Sequence, residues 1–448
     1  MKSVLLTIDA LRADHLGQYG YERDTMPELD RLVDVGTRYE AGFANGTNTG
    51  VSLPSLLTSR YFGAESASEG PNVATAISET GASTAGFHSN TLFSNRVSEV
   101  AGFDHYEDYG SNEGNSGDVE AGIGEQVYQR LVDTLRPVVE RFGVRDHAET
   151  IQEFVFPTSL VHDPSVYVDA ETLTDDVLAW VREHADEDFF LWVHYMDPHR
   201  PYGIDVEEPA FGEPAAESEI RNLMSKAGIH PEKVTDEERD RIVDLYDSDI
   251  RYTSEHVARL FDLFEELGIW EETGIVFTAD HGEEFAEHGY YYHRNRPYDE
   301  LLHVPLVVKR PASEKGSQIV QSQRELLDVA PSLCSWHGAE VPEEFRGVRL
   351  SDSEESEVVA TGSFVEQDHV VAGRWDGWKY VSVGDDETSL FDLNVDPEET
   401  YDVSGEYADV IKEFEAAIPE SVFAGEPVTI ETDDEDVRRR LEGLGYLE

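Results

Sequence analysis

The sequence predicts an α/β protein: a central, mostly parallel β-sheet flanked by helices, followed by a small C-terminal subdomain of antiparallel strands. Three observations carry this expectation. Short β-prone apolar runs recur far apart, from Val4 to Ile8, Phe189 to Tyr195, Gly274 to Thr278 and Val304 to Val308. Runs that are apolar throughout suit strands buried on both faces, as in parallel sheets covered by helices. Beyond about Glu355 the pattern shifts to short strands broken by turns (Val370 to Ala372, Trp378 to Val383, then SLFDLNVDPEET), which fits antiparallel pairing.

The elements follow in order. Val4 to Ile8 reads as a buried central strand. A helix is expected from about Met26 to Val35, with Pro27 early and Gly36 as its stop. Thr49 to Thr58 begins in a Gly- and Thr-rich loop and runs into a helix. Two insertions are read near 106–163, irregular and charged, and near 203–240, rich in Glu and leading into a helix that reaches about Leu260. The division is then a catalytic α/β domain over 1–354 and a small α+β subdomain over 355–448.

Charge limits the partners. Asp and Glu number 94 against 34 Lys and Arg, a formal net charge of −60. Such a surface repels nucleic acid and anionic membranes. The acids are spread along the chain, not gathered in a tail, a pattern that resembles proteins of salt-loving archaea. We read it as adaptation to high salt, which screens self-repulsion over a few ångströms. Cys334 is the single cysteine, so no intrachain disulfide forms. The N-terminal apolar run stops at Asp9, and no later run is long enough for a membrane span. A soluble, cytoplasmic protein is expected; its oligomeric state is left open.

Three of the buried strands end in residues that bind metals. The first ends at Asp9, the second near Asp197 and His199, the third at Asp280 and His281. In open α/β sheets, ligands gather beyond the carboxyl ends of strands. Carboxylates suit a hard divalent cation, and imidazole suits the softer ones. Taken singly, Asp9 could cap a helix and Asp280–His281 could be an ordinary turn. Their joint occurrence at strand ends favours one site.

The segments IDALRADHLGQYGY, VHYMDPHRPY, TADHGEEFAEHG and YDELLHVPLVVKRP resemble landmarks of the sulfatase family, in the family's order. LLDVAPSLCSWHG, SLFDLNVDPEET and the terminal LEGLGYLE resemble further ones. The resemblance implies the alkaline-phosphatase-like fold and metal ligands at Asp9, Asp280 and His281. Ala10 stands where family members often carry a second acid. The family's nucleophile, formylglycine made in a C/S-x-P-S-R motif, has no match in NGTNTGVSLPSLLTSRY, and Cys334 is far away. Aligning LLTSR on the family's LLTGR places Thr49 at the nucleophile and metal position. The competing reading takes Ser52 from Ser52-Leu53-Pro54-Ser55; Thr49 is preferred. A threonine hydroxyl becomes nucleophilic beside a divalent metal, but it cannot perform formylglycine's hydrate chemistry.

The resemblance further implies that His199 contacts the transferred group or protonates the leaving oxygen. Asn90, His293 and Arg296 are expected to bind the substrate, with Arg294 nearby and Arg12 bracing the first ligand's loop. His194 divides evenly between a structural histidine and a site residue, and His288 is favoured to orient a ligand. The expected cofactor is one divalent cation, Ca, Mg or Mn. A second ion on Asp197, His199 and His293 is the less favoured arrangement. The expected activity is hydrolysis of a small anionic ester, either a sulfate ester or a phosphate mono- or diester, with sulfated or phosphorylated sugars among the candidates. The alternatives are a phosphoryl-group transferase and a non-catalytic sulfatase-like binding protein.

Overall fold

The structure, a computed structural model, describes residues 1–61, 70–90, 102–109, 167–294, 296–311, 317–352, 356–362, 369–384 and 387–423. Most of the first expected insertion and the terminal LEGLGYLE lie outside the described residues.

The main sheet is assembled from β1 (Lys2–Ile8), β2 (Thr37–Phe43), β3 (Ser83–His88), β4 (His105–Asp108), β5 (Phe189–Tyr195), β6 (Thr273–Ala279), β9 (His303–Lys309), β10 (Gln318–Val320) and β11 (Arg324–Glu325). Its order is β10-β2-β9-β6-β1-β5-β3-β4, with β11 also pairing with β2. All pairs are parallel except those of β9, which runs against β2 and β6. β7 (Glu284–Phe285) and β8 (Tyr291–Tyr292) form a separate hairpin.

The four apolar runs became β1, β5, β6 and β9, each buried through almost its whole length. Leu6 sits between Val193 and Phe277 on the neighbouring strands, and none of the three is exposed. Burying each such side chain contributes about 1.5–3 kcal/mol. Helices cover the sheet. α1 (Asp30–Val33) is a short turn entered through Pro27, and α2 (Thr49–Thr58) and α3 (Val73–Ser78) follow. α4 (Ala170–His184) packs on β3 and β5, and also on α6 (Asp236–Glu266). The second expected insertion holds α5 (Glu217–Ile229) and the start of α6. A Thr235–Glu238 capping box starts α6, which runs beyond Leu260. α7 (Asp299–Leu302) leads into β9, and α8 (Val329–His337) packs on β1, α2 and α3. Among the described residues no helix is long and apolar enough to cross a membrane.

The C-terminal sheet is antiparallel, in the order β12 (Val358–Gly362), β13 (Val370–Trp375), β14 (Trp378–Val383), β15 (Glu387–Asp392). Alternation divides its side chains. Val358, Ala360, Val370, Ala372, Val381 and Phe391 pack against Phe43 and Leu302 of the main body. Val359, Val371, Tyr380 and Leu390 pack against Phe414 of α9 (Ala408–Ala417) and Val422 of α10 (Glu420–Phe423). Lys379, without exposed surface, joins the two parts: its Nζ lies 2.8 Å from Asp299 and 2.5 Å from Glu399.

Candidate active site

Strand register assembles the site. Ile8 pairs with Tyr195 on one side and Ala279 on the other, and His88 pairs with His194. The chain therefore leaves the sheet side by side at Asp9, Asp280 and the segments carrying Asn90 and Asp197. The turn after β1 is tight: Ala10 adopts a left-handed φ of 55°, an unfavourable conformation for a non-glycine residue. That turn aims the Ala10 N–H at Asp280 Oδ1, at 3.2 Å. After His281, a Cβ on Gly282 would stand 2.0 Å from the Glu300 carbonyl oxygen, so only glycine allows this close approach.

Ligand atoms of Asp9, Asp280 and His281 all lie within 4.8 Å of one another, and none of these residues is exposed. Asp280 Oδ1 also accepts from the His281 N–H at 2.9 Å. Asp9 Oδ2 accepts from Thr49 Oγ1 at 3.1 Å and from Asn90 Nδ2 at 3.5 Å. The remaining oxygens, Asp9 Oδ1 and Asp280 Oδ2, are buried and have no hydrogen-bond partner among the described residues. Two carboxylate oxygens left without donors are costly in a protein interior. Burial and the neighbouring Asp9 push the Asp280 carboxyl above its ordinary range. Burial opposes charging of His281, yet Asp280 and Asp9 outweigh it and hold the imidazole above its usual value. His281 Nδ1 donates to the Gly282 carbonyl at 2.8 Å, which turns Nε2 toward Thr49 Oγ1 at 3.1 Å. The donor set of two carboxylates, one imidazole nitrogen and one hydroxyl fits a divalent cation.

Thr49 is the first residue of α2, where backbone N–H groups lack helical partners and attract negative charge. Ser52, one turn further, donates its hydroxyl to the Asp280 carbonyl and ties the helix to the end of β6.

His199 and His293 flank the cluster. The His293 ring centre lies 4.7 Å from that of His281 and 5.1 Å from that of His199. Burial pushes His199 down to about 3. Its Nδ1 lies 2.7 Å from the Arg200 carbonyl, an acceptor, so Nδ1 carries the proton and neutral Nε2 is a lone pair. His293 Nδ1 lies 3.1 Å from Glu283 Oε1, and Tyr202 donates to the other Glu283 oxygen at 2.5 Å. Burial raises Glu283 to about 7, while burial, His281 and Arg200 push His293 well below its ordinary value.

Other expected residues stand elsewhere. Arg296 stacks its guanidinium 3.7 Å over the Tyr290 ring, and none of its described contacts reaches the cluster. Arg200, stacked 4.5 Å over Tyr292, is a cation felt by His199, His293 and Glu283. It follows His199 directly, and the HRPY string was its only signal. Asp197 accepts from the Ala170 N–H at 2.9 Å, at the start of α4, and thus serves that helix. His288 stacks on Tyr298 at 3.6 Å and faces Glu300 at 3.5 Å; its described contacts do not include Asp9, Asp280 or His281. Arg12 donates to the Glu283 carbonyl at 3.0 Å and to Glu287 at 2.6 Å, bracing the loop after β6.

A mixed sheet with an acidic cluster beyond its central strands and a small antiparallel sheet at its flank defines the alkaline-phosphatase-like class of α/β proteins. Residues 2–339 match the family profile described as Sulfatase, so the chain belongs to the sulfatase family. An arylsulfatase of Clostridium perfringens is 22% identical over 438 residues, covering 88% of each chain. A choline-sulfatase of Rhizobium meliloti is 27% identical over 246 residues, covering 48% of this chain and 47% of its own. A multifunctional alkaline phosphatase superfamily protein of Trinickia caryophylli is 26% identical, and the match spans only 40% of its length. Among solved structures, a phosphonate monoester hydrolase of Agrobacterium radiobacter superposes with a TM-score of 0.68 at 18% identity, covering 94% of this chain and 95% of the other.

Proposed function

We propose that this chain is a metal-dependent hydrolase of anionic esters with Thr49 as its nucleophile. The observation that carries the reading is the meeting of Thr49 Oγ1 with Asp9 Oδ2 and His281 Nε2, each at 3.1 Å, beside two buried carboxylate oxygens without partners among the described residues. A divalent cation held by Asp9, Asp280, His281 and Thr49 would supply Lewis acidity toward the hydroxyl and the ester oxygens.

The residues divide the work. Thr49 Oγ attacks sulfur or phosphorus, its proton leaving along the hydrogen bond to Asp9. The backbone N–H groups opening α2 hold the developing negative charge. Asn90 Nδ2 donates to the same region, and Arg200 adds the nearby positive charge. Neutral His199 presents a lone pair at Nε2, so it protonates the leaving oxygen only after gaining a proton, which an anionic substrate favours. Water then cleaves the threonine ester, releasing sulfate from a sulfate ester, phosphate from a phosphate monoester or a phosphate monoester from a diester, and restoring the hydroxyl. Because a plain threonine ester depends on attack by water, phosphate mono- and diesters are favoured over sulfate esters as substrates.

The test is a panel of aryl sulfates and aryl phosphate mono- and diesters, assayed with Mn²⁺, Mg²⁺ or Ca²⁺ in molar KCl, before and after chelation. Turnover that needs the added ion is expected. Full activity after chelation, or no turnover of any ester, would refute the reading. The charge of −60 supports a working environment of high salt.

A further inference from the structure

Behind Asp9 a chain of buried polar side chains runs back along the sheet. Trp192 Nε1 donates to Thr7 Oγ1 at 3.0 Å. Thr7 Oγ1 lies 3.0 Å from His194 Nδ1 and 3.2 Å from the Val193 carbonyl oxygen. His194 Nε2 stands 3.4 Å from Asp9 Oδ2, an electrostatic approach beyond hydrogen-bond alignment, and has no hydrogen-bond partner among the described residues. Thr7 and His194 are register partners across β1 and β5, and Thr7, Trp192 and His194 have no exposed surface.

The location of the proton on His194 follows from what each partner can do. An indole N–H only donates, so Thr7 oxygen is already an acceptor. Its single hydrogen goes either to His194 Nδ1 or to the Val193 carbonyl. In the first case Nδ1 is an acceptor and Nε2 carries the proton. In the second case Nδ1 must itself donate to Thr7; a neutral ring would then press a bare Nε2 lone pair against the Asp9 carboxylate. Two buried acceptors face to face without a proton cost about 1–3 kcal/mol or more. A charged ring carries protons on both nitrogens. Every arrangement that keeps the Nε2 lone pair from facing the Asp9 carboxylate therefore has a proton on Nε2.

We infer that His194 is a positioning residue for Asp9, and that Trp192 and Thr7 select the tautomer that makes it so. The Nε2–H faces Asp9 Oδ2, which accepts from Thr49 and Asn90, and its attraction holds Oδ1 toward the cluster with Asp280 and His281. Ala10 contributes no carboxylate at this point of the chain, so the orientation of Asp9 matters the more. His194 is not a ligand in this scheme, because its Nε2 lone pair is taken by the proton. The inference rests on the metal reading above. Groups that orient metal ligands typically change affinity 10–100-fold when removed.

Mn²⁺ affinity of the full chain, measured by calorimetry in molar KCl, tests it. The variants are His194→Gln, whose amide N–H reaches roughly as far as Nε2, His194→Asn, which is too short, and His194→Phe, which has no donor. Gln should stay within about threefold of the parent affinity, while Asn and Phe should weaken it about 10–100-fold. Metal-free melting temperatures are recorded alongside. A purely structural histidine would lower those temperatures and leave the Mn²⁺ affinity alike in every variant that folds, which would overturn the inference while leaving the metal site standing. A Gln variant as weak as Phe would overturn it too. A parent protein that binds no Mn²⁺ overturns the metal reading and this inference together.

Discussion

Thr49 Oγ1 lies 3.1 Å from Asp9 Oδ2, joining the first turn of α2 to the end of β1. Thr49→Ala should therefore remove nearly all turnover of the best substrate. Ser52→Ala should keep the chemistry and lose about 0.5–1.5 kcal/mol of stability, the usual worth of one hydrogen bond. Steady-state kinetics and chemical denaturation of the two variants check this; an inactive Ser52→Ala with an active Thr49→Ala would reverse the assignment.

Asp280 spends one oxygen on two backbone N–H groups, and its other oxygen has no hydrogen-bond partner among the described residues. Asp280→Ala should abolish stoichiometric metal in elemental analysis. Chelation of the parent should stop turnover, and re-addition of the ion should restore it. Metal retained by the variant at parental level would exclude Asp280 as a ligand.

Burial pushes Asp197 up to about 8. In the unfolded chain this carboxyl ionises near 4, so between about pH 4 and 8 the folded state holds a proton that the unfolded state has lost. Its contribution to stability therefore falls as pH rises through that window. Asp197→Asn keeps an acceptor for the Ala170 N–H and cannot ionise. It should gain of order 1–3 kcal/mol at pH 8 and little at pH 4. Melting curves at both values decide it; an equal shift at both would show that the carboxyl's charge is not the cause.

Lys379 is surrounded by Asp299, Glu399 and, through Asp299, Arg374. Lys379→Met removes the charge and leaves Glu399 buried without it. Breaking a buried pair this way costs about 3–5 kcal/mol, with Arg374 holding the loss toward the lower end. Unfolding by denaturant should report it.

With a formal charge of −60, dilute buffer leaves self-repulsion unscreened. The melting temperature should rise from dilute buffer to molar KCl. An unchanged value would contradict a high-salt adaptation.

Legibility in the sequence followed burial. β1, β5, β6 and β9 are mostly apolar and buried and could be read directly. The opposite direction of β9 could not, because a strand buried on both faces carries the same pattern either way. β2 is only partly buried, and β3 (STAGFH) is rich in small residues, so neither stood out. Asp9, Asp280 and His281 were visible because they end apolar runs. Thr49 and Ser52 were hard to separate for a physical reason: three residues apart, they share one face of α2, and both hydroxyls meet the ends of β1 and β6. Glu283 and Arg200 matter through hydrogen bonds, stacking and electrostatics, which a string of letters does not display.

The place of β1 in the sheet also bears on how the chain acquires its fold. β1 is central, yet its neighbours pair Lys2 with Phe189 on one side and Thr273 on the other. During synthesis the strand emerges long before either partner, as a short sticky segment with both edges open. Pairings so distant in sequence are slow and leave intermediates prone to aggregation. Asp9 and Asp280 can meet only after Asp280 has emerged from the ribosome, so competence to bind an ion is a late event in the life of each newly made chain.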